Sequence, residues 1–190
     1  MRVLIAEDDP VIALGLESKL TAMGHEVVGR VGDGHAAVAV AEEALPDAVV
    51  MDLVMPGMDG LEAARRITRN RGVAIVAITA HDDPALVSRA IDVGVAAYLV
   101  KPVDARQVDS ALRLAVARYT EFEALRAEVD RLSDALEARK LVERAKGILM
   151  DRAGLSESEA FTRIQSRARA RNQTMRHVAT QIIEAAKLLD

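Results

Sequence analysis

Cysteine is absent from this 190-residue chain. The protein therefore has no disulfide framework and no thiolate site, which fits a reducing compartment. Long apolar runs are lacking as well, because the amino terminus MRVLIAEDD becomes acidic after one short run. This pattern predicts neither a signal peptide nor a membrane span. Since 51% of the residues are hydrophobic, enough to bury a core, we expect a globular cytoplasmic protein.

Glycine and proline are missing between Pro102 and Gly147. This absence predicts one long helical run. Within it a stripe of apolar residues recurs at alternating spacings of three and four: Phe122, Leu125, Val129, Leu132 and Leu136. The stripe spans just over two heptads, which leaves two interpretations open. It either packs onto the chain's own domain or forms a dimerising coiled coil.

Five short apolar runs punctuate the first hundred residues, at 3–6, 26–31, 48–51, 74–79 and 97–100. Between them, roughly at 10–22, 34–45, 58–70 and 84–94, apolar residues follow helical spacing. Alternation of strands and helices predicts right-handed crossovers and a parallel sheet covered on both faces. The expected fold class is therefore α/β, a doubly wound parallel five-stranded sheet.

Carboxylates follow two of the predicted strands. Glu7, Asp8 and Asp9 come after the first strand, and Asp52 ends the third. Ligands of such sheets bind beyond the carboxyl ends of the strands, so these acids should meet there. Crowded carboxylates repel one another, and a hard divalent cation such as Mg²⁺ relieves the repulsion. Asp9, which precedes Pro10, is also well suited to capping a helix.

The stretch VVMDLVMPGMDG at 49–60 places Asp52 where an apolar run meets turn-forming residues. The fourth strand ends in Thr79, and Lys101 follows the fifth. An aspartate, a metal, a hydroxyl and a lysine together suit phosphoryl transfer to a carboxylate. Asp52 would be the nucleophile and would form an acyl phosphate.

This pattern resembles the receiver domain of two-component response regulators. The resemblance covers about residues 1–118 and rests on EDD at 7–9, MDLVMPGMDG at 51–60, ITA at 78–80 and AYLVKP at 97–102. It implies a flavodoxin-like sheet, a sensor histidine kinase as partner, and phosphorylation of the protein itself rather than turnover of a substrate.

The resemblance also implies roles for individual residues. Asp52 would be the phosphoacceptor, and Mg²⁺ would be held by Glu7, Asp8, Asp52 and the backbone carbonyl of Val54. Thr79 and Lys101 would contact the phosphoryl group. Tyr98 would be an aromatic switch residue that moves inward with Thr79, and a cis peptide would join Lys101 to Pro102.

Charge is distributed unevenly along the chain. Residues 1–138 hold 14 basic and 23 acidic side chains, a net −9, whereas residues 139–190 hold 11 and 6, a net +5. The basic segment contains three helical patterns. The second begins after Gly154 with Ser156 and Glu159 spaced as a capping box, and the third covers Met175 to Leu189. A small three-helix unit with a polyanionic partner is expected.

The basic segment resembles the ANTAR domain of transcription antitermination regulators. The resemblance rests on RAKGILM at 144–150, EAF at 159–161, Ala168, Asn172 and the VA at 178–179. It implies binding to paired RNA stem-loops that prevents formation of a terminator. The predicted organisation is a receiver at 1–118, a helical, coiled-coil-like linker at 119–138, and an ANTAR domain at 139–190. The linker joins two copies of the chain in a homodimer if its apolar stripe forms a coiled coil.

Aromatic residues are scarce in this segment, which contains only Phe161, expected in the core. RNA recognition would then depend on basic and polar side chains. The candidates are Arg139, Lys140, Arg144, Lys146, Arg171, Asn172, Gln173 and Arg176. Four arginines, Arg163, Arg167, Arg169 and Arg171, have a second interpretation as a solvated face.

Two other functions stay open at this point. A DNA-binding response regulator would place the third helix in a major groove, although fifty residues are few for a winged helix. A protein-interaction relay would dock its basic segment on a partner protein.

Overall fold

The computed structural model describes residues 1–70, 72–80 and 83–187. They form two compact units, residues 1–123 and residues 124–190. The elements follow in this order: β1 (Arg2–Ala6), α1 (Pro10–Ala22), β2 (Glu26–Val31), α2 (Gly34–Ala44), β3 (Ala48–Asp52), α3 (Gly60–Asn70), β4 (Ala74–Thr79), α4 (Pro84–Asp92), β5 (Ala97–Val100), α5 (Ala105–Ala153), α6 (Glu157–Ala170) and α7 (Met175–Lys187). Among these residues no helix combines the length and apolar character of a membrane span.

The first unit is built on a parallel sheet with strand order β2-β1-β3-β4-β5. The predicted α/β fold with a doubly wound sheet is confirmed. Successive residues of β3 show why the strand is apolar up to Asp52. Val49 and Met51 pack with α2, α3 and α4 on one face, whereas Ala48 and Val50 pack with α1 and α5 on the other. Complete burial of one such large side chain contributes about 1.5–3 kcal/mol.

Helix starts follow the local signals in the sequence. The side chain of Asp9 accepts hydrogen bonds from the backbone N–H groups of Val11 and Ile12, and Pro10 occupies the first turn of α1. Ser156 and Glu159 form the predicted capping box at the start of α6. These side chains satisfy N–H groups that the first helical turn leaves without partners, so both caps are confirmed.

Helix α5 runs without a break from Ala105 to Ala153, as the lack of glycine and proline predicts. The linker predicted at 119–138 lies inside it, and the helix is continuous at both predicted boundaries. All five residues of the apolar stripe between Phe122 and Leu136 are exposed, by 55–62%. The interpretation that the stripe packs onto the chain's own domain is therefore wrong.

The second unit contains a core where α5, α6 and α7 meet. Ala145, Ile164 and Val178 are fully buried there, one from each helix. The predicted three-helix unit is confirmed over its described part, and the final residues of the predicted third helix, Leu188 and Leu189, lie outside the described residues. Phe161 is 41% exposed, so its predicted core position is wrong. Its neighbour Ala160 faces the core instead.

Candidate functional site

The carboxyl ends of the central strands bring the predicted acids together. Ala6 of β1 pairs with Met51 of β3, so Glu7 and Asp52 leave adjacent strands side by side. Suitable side-chain oxygens of Glu7, Asp8 and Asp52 lie within 4.8 Å of one another. Asp9 instead caps the start of α1, so its role differs from that of Glu7 and Asp8.

Lys101 reaches this cluster from the end of β5. Its Nζ lies 2.8 Å from both carboxylate oxygens of Glu7 and 2.6 Å from Oδ2 of Asp52. The peptide that joins Lys101 to Pro102 is cis, as the resemblance implies. The backbone N–H of Lys101 donates to the carbonyl of Thr79 at 2.8 Å, which places the lysine beside the end of β4.

Two of these charged side chains are buried, and burial of a charge without a partner is unfavourable. Glu7 is 4% exposed and Asp52 is 6% exposed, while Asp8 faces solvent. Burial raises the pKa of Glu7, and the neighbouring negative charge of Asp52 adds to the effect. Burial also lowers the pKa of Lys101, but hydrogen bonds to Asp52 and Glu7 outweigh it, so that pKa lies above the usual value for lysine. The ammonium therefore stays charged at neutral pH.

The donor set fits a magnesium ion. Three carboxylates and one ammonium leave two uncompensated negative charges, which a divalent cation would neutralise. All available side-chain ligands are oxygens, as Mg²⁺ prefers. The backbone N–H of Val54 donates to Oδ1 of Asp52 at 2.9 Å, which holds the carboxylate and keeps the backbone of Val54 close to it.

The two residues expected to respond to phosphorylation lie on adjacent strands. Thr79 is the last residue of β4 and is fully buried. Tyr98 lies on β5, where it pairs with Ala77 of β4. Its half-buried side chain packs against the core between the sheet and helices α2, α3 and α4. A displacement of Thr79 on β4 would therefore also shift the paired strand β5, which carries Tyr98.

The loop after Asp52 depends on glycine at a turn. Gly57 has φ +74°, a left-handed conformation that side chains disfavour. Asp59 then accepts a hydrogen bond from the backbone N–H of Glu62 at 2.7 Å and caps the start of α3. The turn and the cap together determine the path of the chain beside the carboxylate cluster.

The eight RNA candidates of the second unit differ in accessibility. Arg139, Arg144, Arg171 and Asn172 are exposed, and Lys140 and Arg176 are exposed but paired with Glu137 (2.7 Å) and Asp134 (3.3 Å). Exposed ion pairs of this kind contribute little to the stability of the fold, so their basic side chains are free to exchange them for phosphate contacts. Gln173 is half-buried, and within the described part of the chain its Oε1 has no hydrogen-bond partner.

Lys146 differs from the other candidates because it is only 6% exposed. Its Nζ lies 2.8 Å from a carboxylate oxygen of Glu143 and 2.7 Å from one of Glu157, so it joins α5 to the start of α6. The sequence interpretation missed this bridge. The spacing of Glu143 and Lys146 by three helical residues was the available signal, whereas the partner on α6 depends on the tertiary fold.

Comparisons with known proteins agree with the two-unit organisation. The family model "Response regulator receiver domain" matches residues 3–113, and the model "ANTAR domain" matches residues 130–183. The chain is 48% identical over 183 residues to the transcriptional regulatory protein PdtaR of Mycobacterium tuberculosis, covering 96% of this chain and 89% of the relative. It is 38% identical over 122 residues to AfsQ1, a transcriptional regulatory protein of Streptomyces coelicolor, covering 64% of this chain and 53% of the relative.

Solved structures resemble the first unit. The signal receiver domain of a modulated diguanylate cyclase from Desulfovibrio desulfuricans superposes with a TM-score of 0.60 at 32% identity, covering 63% of this chain and 95% of that one. The response regulator domain of Thermotoga maritima CheB gives 0.58 at 25% identity, covering 62% and 96%. With both domains matched and a relative alike over nearly its whole length, the chain belongs to the response regulators in which a receiver domain is followed by an ANTAR domain.

Proposed function

We propose that this protein is a phosphorylation-controlled RNA-binding regulator of transcription antitermination. A sensor histidine kinase would phosphorylate Asp52, and the ANTAR domain would bind paired RNA stem-loops and prevent a terminator from forming. The observation that carries the proposal is the buried Asp52, with Lys101 at 2.6 Å and two further carboxylates beside it, in the same chain as an ANTAR domain. The protein would act as a switch rather than as a multiple-turnover enzyme.

The residues around Asp52 suit its role as phosphoacceptor. Hydrogen bonds from Val54 N–H and Lys101 Nζ orient its two oxygens. A carboxylate oxygen would attack the phosphorus of a phosphohistidine on the kinase, so that the P–N bond breaks as the acyl phosphate forms and the imidazole leaves. Glu7, Asp8, Asp52 and the carbonyl of Val54 would hold Mg²⁺, which when bound supplies positive charge to the transferring phosphoryl group. Lys101 would exchange part of its contact with the carboxylates for the phosphoryl oxygens.

The kinase must contact the surface that surrounds this site. Helix α1 starts next to the acidic cluster and exposes several aliphatic side chains, with Val11 78% and Leu14 56% exposed. A contiguous exposed apolar surface typically marks an interaction site. This part of α1 is therefore the docking surface that we assign to the kinase.

Phosphorylation would be transmitted through Thr79 and Tyr98. The Thr79 hydroxyl would be drawn to the phosphoryl group, and Tyr98 would move into the space beside it. Such a shift repacks β4, β5 and the adjacent helices of the receiver unit. The long helix α5 continues from that unit to the ANTAR domain and would carry the response.

The exposed stripe on α5 supports phosphorylation-linked dimerisation. With Phe122 at an a position, Leu125 and Leu132 fall at d positions of consecutive heptads. We expect the wild-type protein with Mg²⁺ and beryllofluoride to sediment as a dimer. The double variant Leu125→Lys, Leu132→Lys should stay monomeric because the seam would bury two charges from each chain. Analytical ultracentrifugation measures the difference. The matched control is Ala124→Lys with Ala127→Lys, which adds the same charge outside the stripe; loss of the dimer there too would contradict a specific seam.

RNA binding is tested by fluorescence anisotropy of a labelled dual-hairpin RNA, with and without Mg²⁺ and beryllofluoride, against duplex DNA. We expect tighter RNA binding with the phosphate mimic. Arg144→Ala should weaken RNA binding and lower the slope of log affinity against log salt by about 0.7–0.9, because one phosphate contact is lost. Arg118→Ala, an exposed arginine of the receiver unit, serves as the control.

The same titration separates the competing functions. Specific binding to duplex DNA with no affinity for hairpins would assign a DNA-binding regulator. Failure to bind either nucleic acid at moderate salt would assign a protein-interaction relay. Equal affinity for hairpin RNA and duplex DNA, lost when salt is added, would mean that the basic helices bind nucleic acid only by nonspecific electrostatic attraction. That result would refute the antitermination proposal.

A further inference from the structure

A pocket of about 290 Å³ opens between the three helices of the ANTAR unit. Its aliphatic part consists of half-buried side chains, Ile148 and Leu149 from α5 and Ile182 from α7. Arg152, Arg167 and Gln181 supply polar groups beside them, and no carboxylate is among the described lining residues. The volume is just below the usual range for ligand pockets, about 300–1,000 Å³, which suits a small planar group.

Two arginine rows lead away from this pocket. Arg163 and Arg167 lie four residues apart on α6, Arg171 follows at the C-cap of that helix, and all three are exposed. Arg144 and Arg152 lie eight residues apart on α5, with the pocket residue Ile148 midway between them. Residues four apart share one face of a helix, so Arg163 and Arg167 lie on one face of α6, and Ile148 lies on the same face of α5 as the arginines before and after it. Arg152 and Arg167 belong both to the two rows and to the lining of the pocket.

This combination selects a nucleotide over the other candidate occupants. A cation would find no carboxylate among the lining side chains described, and an apolar peptide helix would gain nothing from the arginine rows. The base of a nucleotide has apolar faces and a hydrogen-bonding edge. In an RNA strand the nucleotide is also flanked by a phosphate on either side. Arginine guanidinium groups stack on bases as aromatic rings do, which offsets the scarcity of aromatic residues in this unit.

We propose that the pocket binds one unpaired base of an RNA loop, stacked on the Arg167 guanidinium, while the two arginine rows contact the flanking phosphates. The proposal rests on the proposed RNA-binding function and adds a recognition subsite to it. Phosphate contacts alone carry no sequence information. The pocket is therefore where this ANTAR unit would distinguish a loop from a regular helix.

The test uses the full-length protein and RNA hairpin pairs selected from a pool with randomised loops. Each loop nucleotide of a selected RNA is replaced in turn by an abasic one, and affinities are measured for the wild type, Arg167→Lys and Arg169→Lys. Lysine keeps the charge but removes the planar guanidinium, so the salt dependence should be unchanged. Arg169 is exposed on the same helix but lies outside the pocket and the rows, which makes it the matched control.

We expect one abasic position to weaken wild-type binding about tenfold, as loss of a stacked base would. Arg167→Lys should weaken binding of the intact RNA comparably and be insensitive to that abasic position, whereas Arg169→Lys behaves as the wild type. An abasic penalty that persists in full in Arg167→Lys refutes the pocket while leaving RNA binding intact. Recovery of no RNA from the pool, or binding of polyglutamate but not of RNA, overturns the pocket and the proposed function together.

Discussion

Asp52→Asn is expected to abolish phosphoryl uptake from acetyl phosphate. An amide cannot form the acyl phosphate, yet it has nearly the same shape as the carboxylate. Its oxygen can still accept the hydrogen bond that Val54 N–H donates to Oδ1 at 2.9 Å. The substitution also removes one charge from a cluster of three acids, of which Glu7 and Asp52 are buried, so the fold should be retained. Intact-protein mass spectrometry in the presence of Mg²⁺ measures the uptake, and circular dichroism measures the fold.

The neighbouring acid Asp9 provides a matched control for this experiment. Asp9 lies near the same sheet edge but caps α1, and asparagine caps helices about as well as aspartate. Asp9→Asn should therefore take up phosphate as the wild type does. A phosphoryl group that still appears on Asp52→Asn, mapped by peptide analysis to another acid of the cluster, would contradict the assignment of the nucleophile.

Gly60→Ala is expected to destabilise the receiver unit by about 3 kcal/mol, at the upper end for overpacking. A Cβ at Gly60 would clash with the carbonyl oxygen of Asp52 and would lie 2.7 Å from Cα of Leu53. Both are backbone atoms, so relief of the clash requires α3 to move away from the end of β3. That movement would also displace Asp52, so phosphoryl uptake should fall along with the melting temperature.

Gly15→Ala is the control for this loss of stability. Gly15 lies inside α1, and an added Cβ there meets no atom within 4 Å. Alanine is favoured over glycine in a helix by about 0.5–1 kcal/mol, so this variant should be slightly more stable than the wild type. Thermal melts followed by circular dichroism compare the two variants. A Gly60→Ala protein that melts with the wild type would show that α3 shifts without cost.

The amino-acid sequence alone predicts much of the receiver site but less of the ANTAR unit. In the receiver, Glu7 and Lys101 each follow a strand and Asp52 ends one. The carboxyl ends of parallel strands lie at one edge of the sheet, so local patterns determine where those residues meet. In the ANTAR unit most of the candidate RNA-binding residues lie on helices, and local spacing does not show which face of a helix packs inward. The burial of Lys146 and the exposure of Phe161 were for this reason not anticipated.

What the sequence by itself determined is the series of strands and helices, their caps and the chain positions of the reactive residues. Apolar periodicity, capping side chains and glycine placement act over a few residues, and they are legible without tertiary contacts, as Asp9 and Ser156 demonstrate. Only the tertiary structure decided which side chains share a charge or a cavity. The contact of Lys101 with both Glu7 and Asp52, the bridge from Lys146 to Glu157, and the pocket shared by Arg152 and Arg167 join residues on different elements. Such contacts depend on how helices and strands pack, and packing is set by the sum of many weak interactions over the whole unit rather than by any local pattern.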